Sequence, residues 1–128
     1  MFRQMLRAKI HRVVVTEADV DYEGSLTLDA DLLDAAGMVP FEKIDVYNVA
    51  RGTRFSTYAI EGGRGSGVCC VNGAAAHLAS PGERIIIAAY ASIPESDIRT
   101  HTPRIVLVGE GNRIREIRST EREGARVE

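Results

Sequence analysis

Apolar and polar positions alternate along most of the chain with a period of two, the spacing that places successive side chains on opposite faces of a strand. In residues 8–14, Ala8, Ile10 and Val14 alternate with Lys9, His11 and Val13, so a strand there sets Lys9 and His11 side by side on one face. Ser25-Leu26-Thr27-Leu28 reads as a second short strand. Asp29 then caps a helix through Leu32–Ala36 that Gly37 ends, with acids in the first turn to suit the helix dipole. Lys43–Val49 and Arg54–Ile60 alternate around Ala50-Arg51-Gly52-Thr53, a hairpin whose second strand puts Arg54, Ser56 and Tyr58 on one face. A Gly-rich loop at 62–67 precedes a strand at 68–71, an Ala-rich helical turn at 73–79, an apolar strand at 84–91 and another at 104–108. The Arg/Glu-rich tail, about 110–128, is expected to be flexible. Six or seven short strands with little helix predict a mainly β fold, a small closed barrel that leaves few sheet edges exposed.

Length fits one domain: 128 residues, 45% of them hydrophobic, suffice for a core without disulfide staples. Cys69 and Cys70 are adjacent, a poor geometry for bridging, and read as reduced core thiols. The longest apolar run, Ile85–Ala91, is far shorter than the roughly 20 residues of a membrane-crossing helix, and Val13-Val14-Val15 is too short for a signal-peptide core. Cytoplasmic location and no membrane partner follow as expectations. A net charge of -2 gives no global attraction for nucleic acid, although residues 1–16 carry four basic residues and no acids while 17–35 carry seven acids and no bases.

Several motifs fail on spacing. Asp19-x-Asp21-x-Glu23 opens like a calcium loop but has Ala30 where the bidentate Glu belongs. Gly62–Gly67 fits neither phosphate-binding glycine pattern and reads as a plain turn. His11, His77 and His101 lack ligand spacing, so no metal is expected. Gly-Ser occurs twice and alone carries little information. However, Tyr22-Glu23-Gly24-Ser25, Arg54-Phe55-Ser56-Thr57-Tyr58-Ala59-Ile60 and Val71-Asn72-Gly73-Ala74-Ala75-Ala76-His77, in this order and spacing, resemble the bacterial aspartate 1-decarboxylases. Lys9-Ile10-His11-Arg12 and Leu33-Asp34-Ala35-Ala36-Gly37 fit the same family; the chain beyond about Gly109 lacks its pattern, and Tyr47 stands where many relatives carry Trp.

The resemblance implies a six-stranded double-psi β-barrel and a pyruvoyl enzyme that converts L-aspartate to β-alanine and CO2 for pantothenate and coenzyme A biosynthesis. It implies self-cleavage between Gly24 and Ser25 into pieces 1–24 and 25–128, with the pyruvoyl group made from Ser25. This suits a chain whose lysines are Lys9 and Lys43 alone, since pyridoxal phosphate is not then required as the electron sink. Thr57 would assist cleavage by hydrogen-bonding the oxyanion, and Tyr58 would protonate the substrate carbon. Arg54 and Lys9 would grip the two carboxylates of aspartate. Asn72, with the backbone of Gly73, Ala74 and Ala75, would line the substrate site, and His11 and Tyr22 would support it. Alternation places Thr57 opposite Arg54 and Tyr58, so a bulge or strand end must intervene if all three serve one site. A homotetramer with sites between protomers is implied, with room for a maturation factor. Two other readings stand beside this one: a pyruvoyl decarboxylase of another amino acid, and a non-enzymatic barrel module that binds DNA.

Overall fold

The computed structural model describes residues 1–122 and 124. Nine strands form one hydrogen-bonded sheet: β1 (Phe2–Val14), β2 (Glu17–Asp19), β3 (Ser25–Asp29), β4 (Lys43–Asn48), β5 (Arg54–Gly62), β6 (Cys69–Asn72), β7 (Arg84–Pro94), β8 (Arg104–Val108) and β9 (Ile114–Arg118). Their spatial order is β2-β6-β3-β5-β4-β7-β1-β8-β9. The protein is mainly β with short helices: α1 (Ala30–Ala36) and 3₁₀ turns at Gly73–His77, Glu95–Thr100 and Glu110–Asn112. Among the described residues no helix is long and apolar enough to cross a membrane.

The inward residues of the alternating pattern form the core, with Ile10, Leu26, Ile44, Val46, Ile85 and Ile87 all essentially inaccessible. Asp29 caps α1 by accepting from the Asp31 amide, and Gly37 ends the helix at a φ of 69°. The same carboxylate reaches across the fold, accepting from the amides of Gly65 and Gly67 at 2.9 Å each, so the glycine-rich loop is wrapped around a carboxylate of its own chain. These amide donors hold the Asp29 carboxyl below its usual range against the opposing effect of burial.

β2 and β9 lie at the two ends of the strand order and are the strands that alternation does not reveal. β9 corrects part of the tail reading. Ile114 and Ile117 are three apart and both are exposed, so no apolar face marks the segment; antiparallel pairing to β8, with Ile117 opposite Val106, is what makes it a strand. Residues 123 and 125–128 of the expected flexible tail lie outside the described residues.

Candidate active site

The chain reaches Gly24 through a turn set by Asp19, whose side chain accepts from the Asp21 amide at 2.9 Å. β3 then begins at Ser25, antiparallel to β6, with Ser25 opposite Asn72 and Thr27 opposite Cys70. These four side chains share one face and bond to one another. Asn72 Nδ2 donates to Ser25 Oγ at 3.0 Å and to Thr27 Oγ1 at 3.1 Å, while Cys70 Sγ donates to Asn72 Oδ1 at 3.0 Å. Ser25 Oγ directs its own proton to the Glu23 carbonyl at a long 3.5 Å. Ser25 and Asn72 are 1% and 5% exposed, so the hydroxyl is held in a nearly dry environment by a neutral donor.

Gly73 explains why the chain after Asn72 must be glycine. At a φ of 68° its backbone lies so close to Gly24 that a Cβ would sit 2.6 Å from Gly24 Cα and 2.8 Å from Gly24 N. Gly24 itself has open space where a Cβ would point. Gly73 therefore approaches Gly24 closely on its N and Cα side, with the Ser25 hydroxyl fastened to Asn72.

β5 lies parallel on the other side of β3, with Leu26 level with Ala59 and Thr27 with Ile60. Continuing that register by one step beyond the paired residues sets Ser25 level with Tyr58, and by two steps Gly24 level with Thr57. The pairing of β4 with β5 runs unbroken from Arg54 to Tyr58, so no bulge turns Thr57 onto the face of Arg54 and Tyr58. The irregularity belongs instead to β3: Gly24 lies just before its first paired residue. The Tyr58 ring packs beside Phe41, with centroids 6.3 Å apart.

Lys9 and His11 on β1 share a face of the sheet with Arg54, which stands three strands away on β5. The registers of β1, β7, β4 and β5 align His11, Ile86, Tyr47 and Arg54 in one row and Lys9, Ala88, Asp45 and Ser56 in the next, all on one face. The Arg54 guanidinium lies 4.8 Å from the Tyr47 ring centre, a cation–π contact. The Tyr47 and Tyr90 hydroxyls are 2.7 Å apart, and that bond, with burial, pushes Tyr47 up to about 12. Lys9 Nζ donates to Glu121 Oε2 at 2.9 Å. Lys9, Tyr47, Tyr90 and Glu121 line a cleft of about 210 Å³. His11 is pushed down to about 4, first by burial and then by the charges of Lys9 and Arg12, so it is neutral at pH 7. Arg54 stands four residues before Tyr58, about 13 Å along the strand at ~3.3 Å per residue. Within one protomer the cationic row and the Ser25 junction are thus separate groups. Tyr22 is exposed, as is Ala74, while Ala75 is half-buried.

Thr27, Cys70, Tyr90 and Glu121 carry no site role in the sequence reading. Thr27 and Cys70 had a signal, since each is two residues from a member of the site on the same strand and must share its face. Glu121 had none, because it approaches Lys9 from the far end of the chain.

A mainly β protein with a buried serine, fastened by a carboxamide at a Gly-Ser junction, is the class these observations define. The family model for aspartate decarboxylase matches residues 1–115, and the chain belongs to that family. It is 56% identical to the aspartate 1-decarboxylase of Ralstonia nicotianae over 119 residues, 93% of this chain and 99% of the relative. It is 53% identical to that of Legionella pneumophila strain Lens, covering 91% of this chain and 88% of the relative. The aspartate 1-decarboxylase of a Geobacillus species is 54% identical, with 91% and 92% covered.

Proposed function

We propose that this chain decarboxylates L-aspartate to β-alanine and CO2, supplying pantothenate and coenzyme A synthesis in the cytoplasm, after converting its own Ser25 to a pyruvoyl group. The observation that carries this reading is the Ser25 hydroxyl, buried and held by Asn72 Nδ2 at 3.0 Å beside a glycine pressed against Gly73. Ser25 Oγ adds to the Gly24 carbonyl carbon; the peptide C–N bond breaks, the nitrogen takes the proton, and an ester joins Gly24 to Oγ. Loss of the residue 25 Cα proton then breaks the Cβ–Oγ bond and releases the Gly24 carboxylate. Water replaces the nitrogen, which leaves as ammonia, and a ketone remains at position 25. Asn72 Nδ2 stabilises Oγ as its proton is removed, and Thr57, level with Gly24, is assigned to the oxyanion that then forms on the Gly24 carbonyl oxygen.

The residues around position 25 fit such a group: the side chain there is small and buried, and Asn72 offers it a hydrogen-bond donor. When present, a pyruvoyl group supplies the electron sink that decarboxylation of an α-amino acid requires. The remaining work belongs to the chain. Arg54 receives one substrate carboxylate in its planar fork and Lys9 the other. Tyr58, level with Ser25 on β5, delivers the proton to the substrate Cα. Neutral His11 keeps the neighbourhood of Lys9 from accumulating further positive charge. Ala74 and Ala75, which follow Gly73, and Tyr22, which precedes Gly24, are assigned to the substrate site.

The separation of Arg54 and Lys9 from Ser25 supports a homotetramer in which the cations of one protomer serve the Ser25 of another. Phe41, Phe2 and Tyr22, exposed by 77%, 66% and 61%, offer apolar surface for such contacts. Intact mass spectrometry tests the reading: active enzyme should contain a piece 1–24 ending in a carboxylate and a piece 25–128 with a ketone at its start. A single uncleaved 128-residue mass in active enzyme refutes it.

A further inference from the structure

We infer that Cys70 is a positioning residue for self-processing: its thiol, by donating to Asn72 Oδ1, fixes which end of the Asn72 carboxamide meets the Ser25 hydroxyl. The inference rests on the self-processing reading of Ser25 and adds a residue that touches neither the scissile peptide nor the substrate.

The two ends of a carboxamide are nearly the same in shape and opposite in function, so its orientation is decided by its partners. Ser25 and Thr27 cannot decide it, because a hydroxyl both donates and accepts and would satisfy either end. Cys70 can. Its thiol is a donor as long as it stays protonated, and burial, the nearby carboxylates of Glu17 and Asp19 and a hydrogen bond to Glu17, which shares the thiol proton with Asn72, raise its pKa. At 3.0 Å from Asn72 Oδ1, the Cys70 sulfur takes the oxygen end and leaves Nδ2 facing β3. The strand pairing makes this arrangement compact: Cys70 and Asn72 are two apart on β6, opposite Thr27 and Ser25 on β3. Cys69, one residue earlier, is fully buried on the opposite face and takes no part in this network.

The orientation matters for the first bond formed. With Nδ2 on Oγ, the Ser25 proton points away to the Glu23 carbonyl, and the negative charge that Oγ carries as that proton is removed, before it passes to the Gly24 carbonyl oxygen, meets a donor. With the amide reversed, the same charge would meet a carbonyl oxygen. Removing a donor aimed at developing charge typically slows such a step by roughly 10²–10³-fold, and a carboxamide freed to sample both orientations keeps part of that benefit.

The test separates hydrogen bonding from packing. Cys70→Ser keeps a donor and loses apolar bulk; Cys70→Val keeps the bulk, suits a strand and loses the donor; Cys70→Ala loses both. Freshly synthesised full-length protein is followed by intact mass spectrometry for the appearance of 25–128, with circular dichroism to confirm that each variant is folded. Cys70→Ser, whose hydroxyl accepts better than a thiol and so selects the oxygen end less strictly, should cleave at a rate between that of the unaltered chain and those of Cys70→Val and Cys70→Ala, which should be slower by about ten-fold or more. Cleavage of Cys70→Val at the unaltered rate, or faster than Cys70→Ser, overturns the inference, because packing would then be the role of this position. If the unaltered chain does not cleave, the self-processing reading itself fails and the inference with it, an outcome seen before any variant is compared.

Discussion

Replacing Gly73 by Ala should stop maturation by displacing Gly24, and the structure sets the size of the effect. Two penalties arise. Gly73 has a φ of 68°, a region that costs a residue with a Cβ about 1–2 kcal/mol. The added Cβ would also lie 2.6 Å from Gly24 Cα, whereas ordinary contact begins at 3.4 Å, and both partners are backbone that cannot rotate aside. Relief requires Gly24 or Gly73 to move by about 1 Å, a misplacement that can slow a reaction between positioned groups by about 10²-fold. Gly52→Ala is the control: its φ of 72° carries the same strain, but no described atom lies within 4 Å of the new Cβ. Strain alone should lower the melting temperature by roughly 4 °C per kcal/mol in both variants. Intact mass spectrometry should then show Gly52→Ala cleaving normally and Gly73→Ala remaining largely a single chain. Cleavage of Gly73→Ala at the unaltered rate, or equal slowing in Gly52→Ala, would refute the claim that close approach of Gly73 positions the scissile peptide.

Tyr58→Phe should cleave normally yet lose turnover by about 10²–10⁴-fold, while Thr57→Val should fail at cleavage first; CO2 release and intact mass together read both, and the reverse pattern would exchange their roles. Glu121→Gln should lower KM for aspartate by up to about five-fold with little change in kcat, since the Lys9–Glu121 pair is half-exposed on the Glu side and holds Lys9 only weakly; an unchanged KM would mean that Glu121 does not compete with substrate. His11 is pushed down to about 4 from 6.5, so on acidification the unfolded chain takes that proton first. Its contribution to stability is therefore complete above about pH 6.5 and lost as pH falls toward 4, and His11→Gln should flatten the fall in melting temperature across that window. An identical slope in both proteins would sink this assignment.

What could be read from the sequence was whatever depends on near neighbours. The alternation of Ile44 with Val46 and of Ile85 with Ile87 marks buried faces, and Asp29 and Gly37 mark the ends of α1, because a strand face and a helix cap are each determined within a few residues. Lys9 and His11 share a face as alternation requires, since the bulges of β1 fall on either side of them rather than between them. What was not legible depends on pairing over long separations. Phe2–Gln4 is exposed and becomes strand by pairing with the end of β7, and Asp29 reaches the amides of Gly65 and Gly67 through the fold. At the site, Gly24-Ser25 stands out through its resemblance to a family, but the bond from Asn72 to Ser25 follows from the register of β3 with β6. Cys70 was read as a reduced core thiol. It is buried and free, and the proton that makes it reduced is the one it donates to Asn72.

β1, the longest strand, runs through the sheet interior between β7 and β8, and it lies wholly on the amino side of Gly24. Scission at Gly24, as proposed, would therefore leave an interior strand held by non-covalent forces alone, on a peptide of its own. Before scission, refolding is a unimolecular event in which the linker keeps β1 at high effective concentration beside its partners. Afterwards it is an encounter between two molecules, slower on dilution, and the lifetime of the enzyme becomes a matter of how rarely the strand is lost. Unfolded precursor should recover its sheet after removal of denaturant, whereas unfolded cleaved protein should recover it in proportion to the concentration of its fragments.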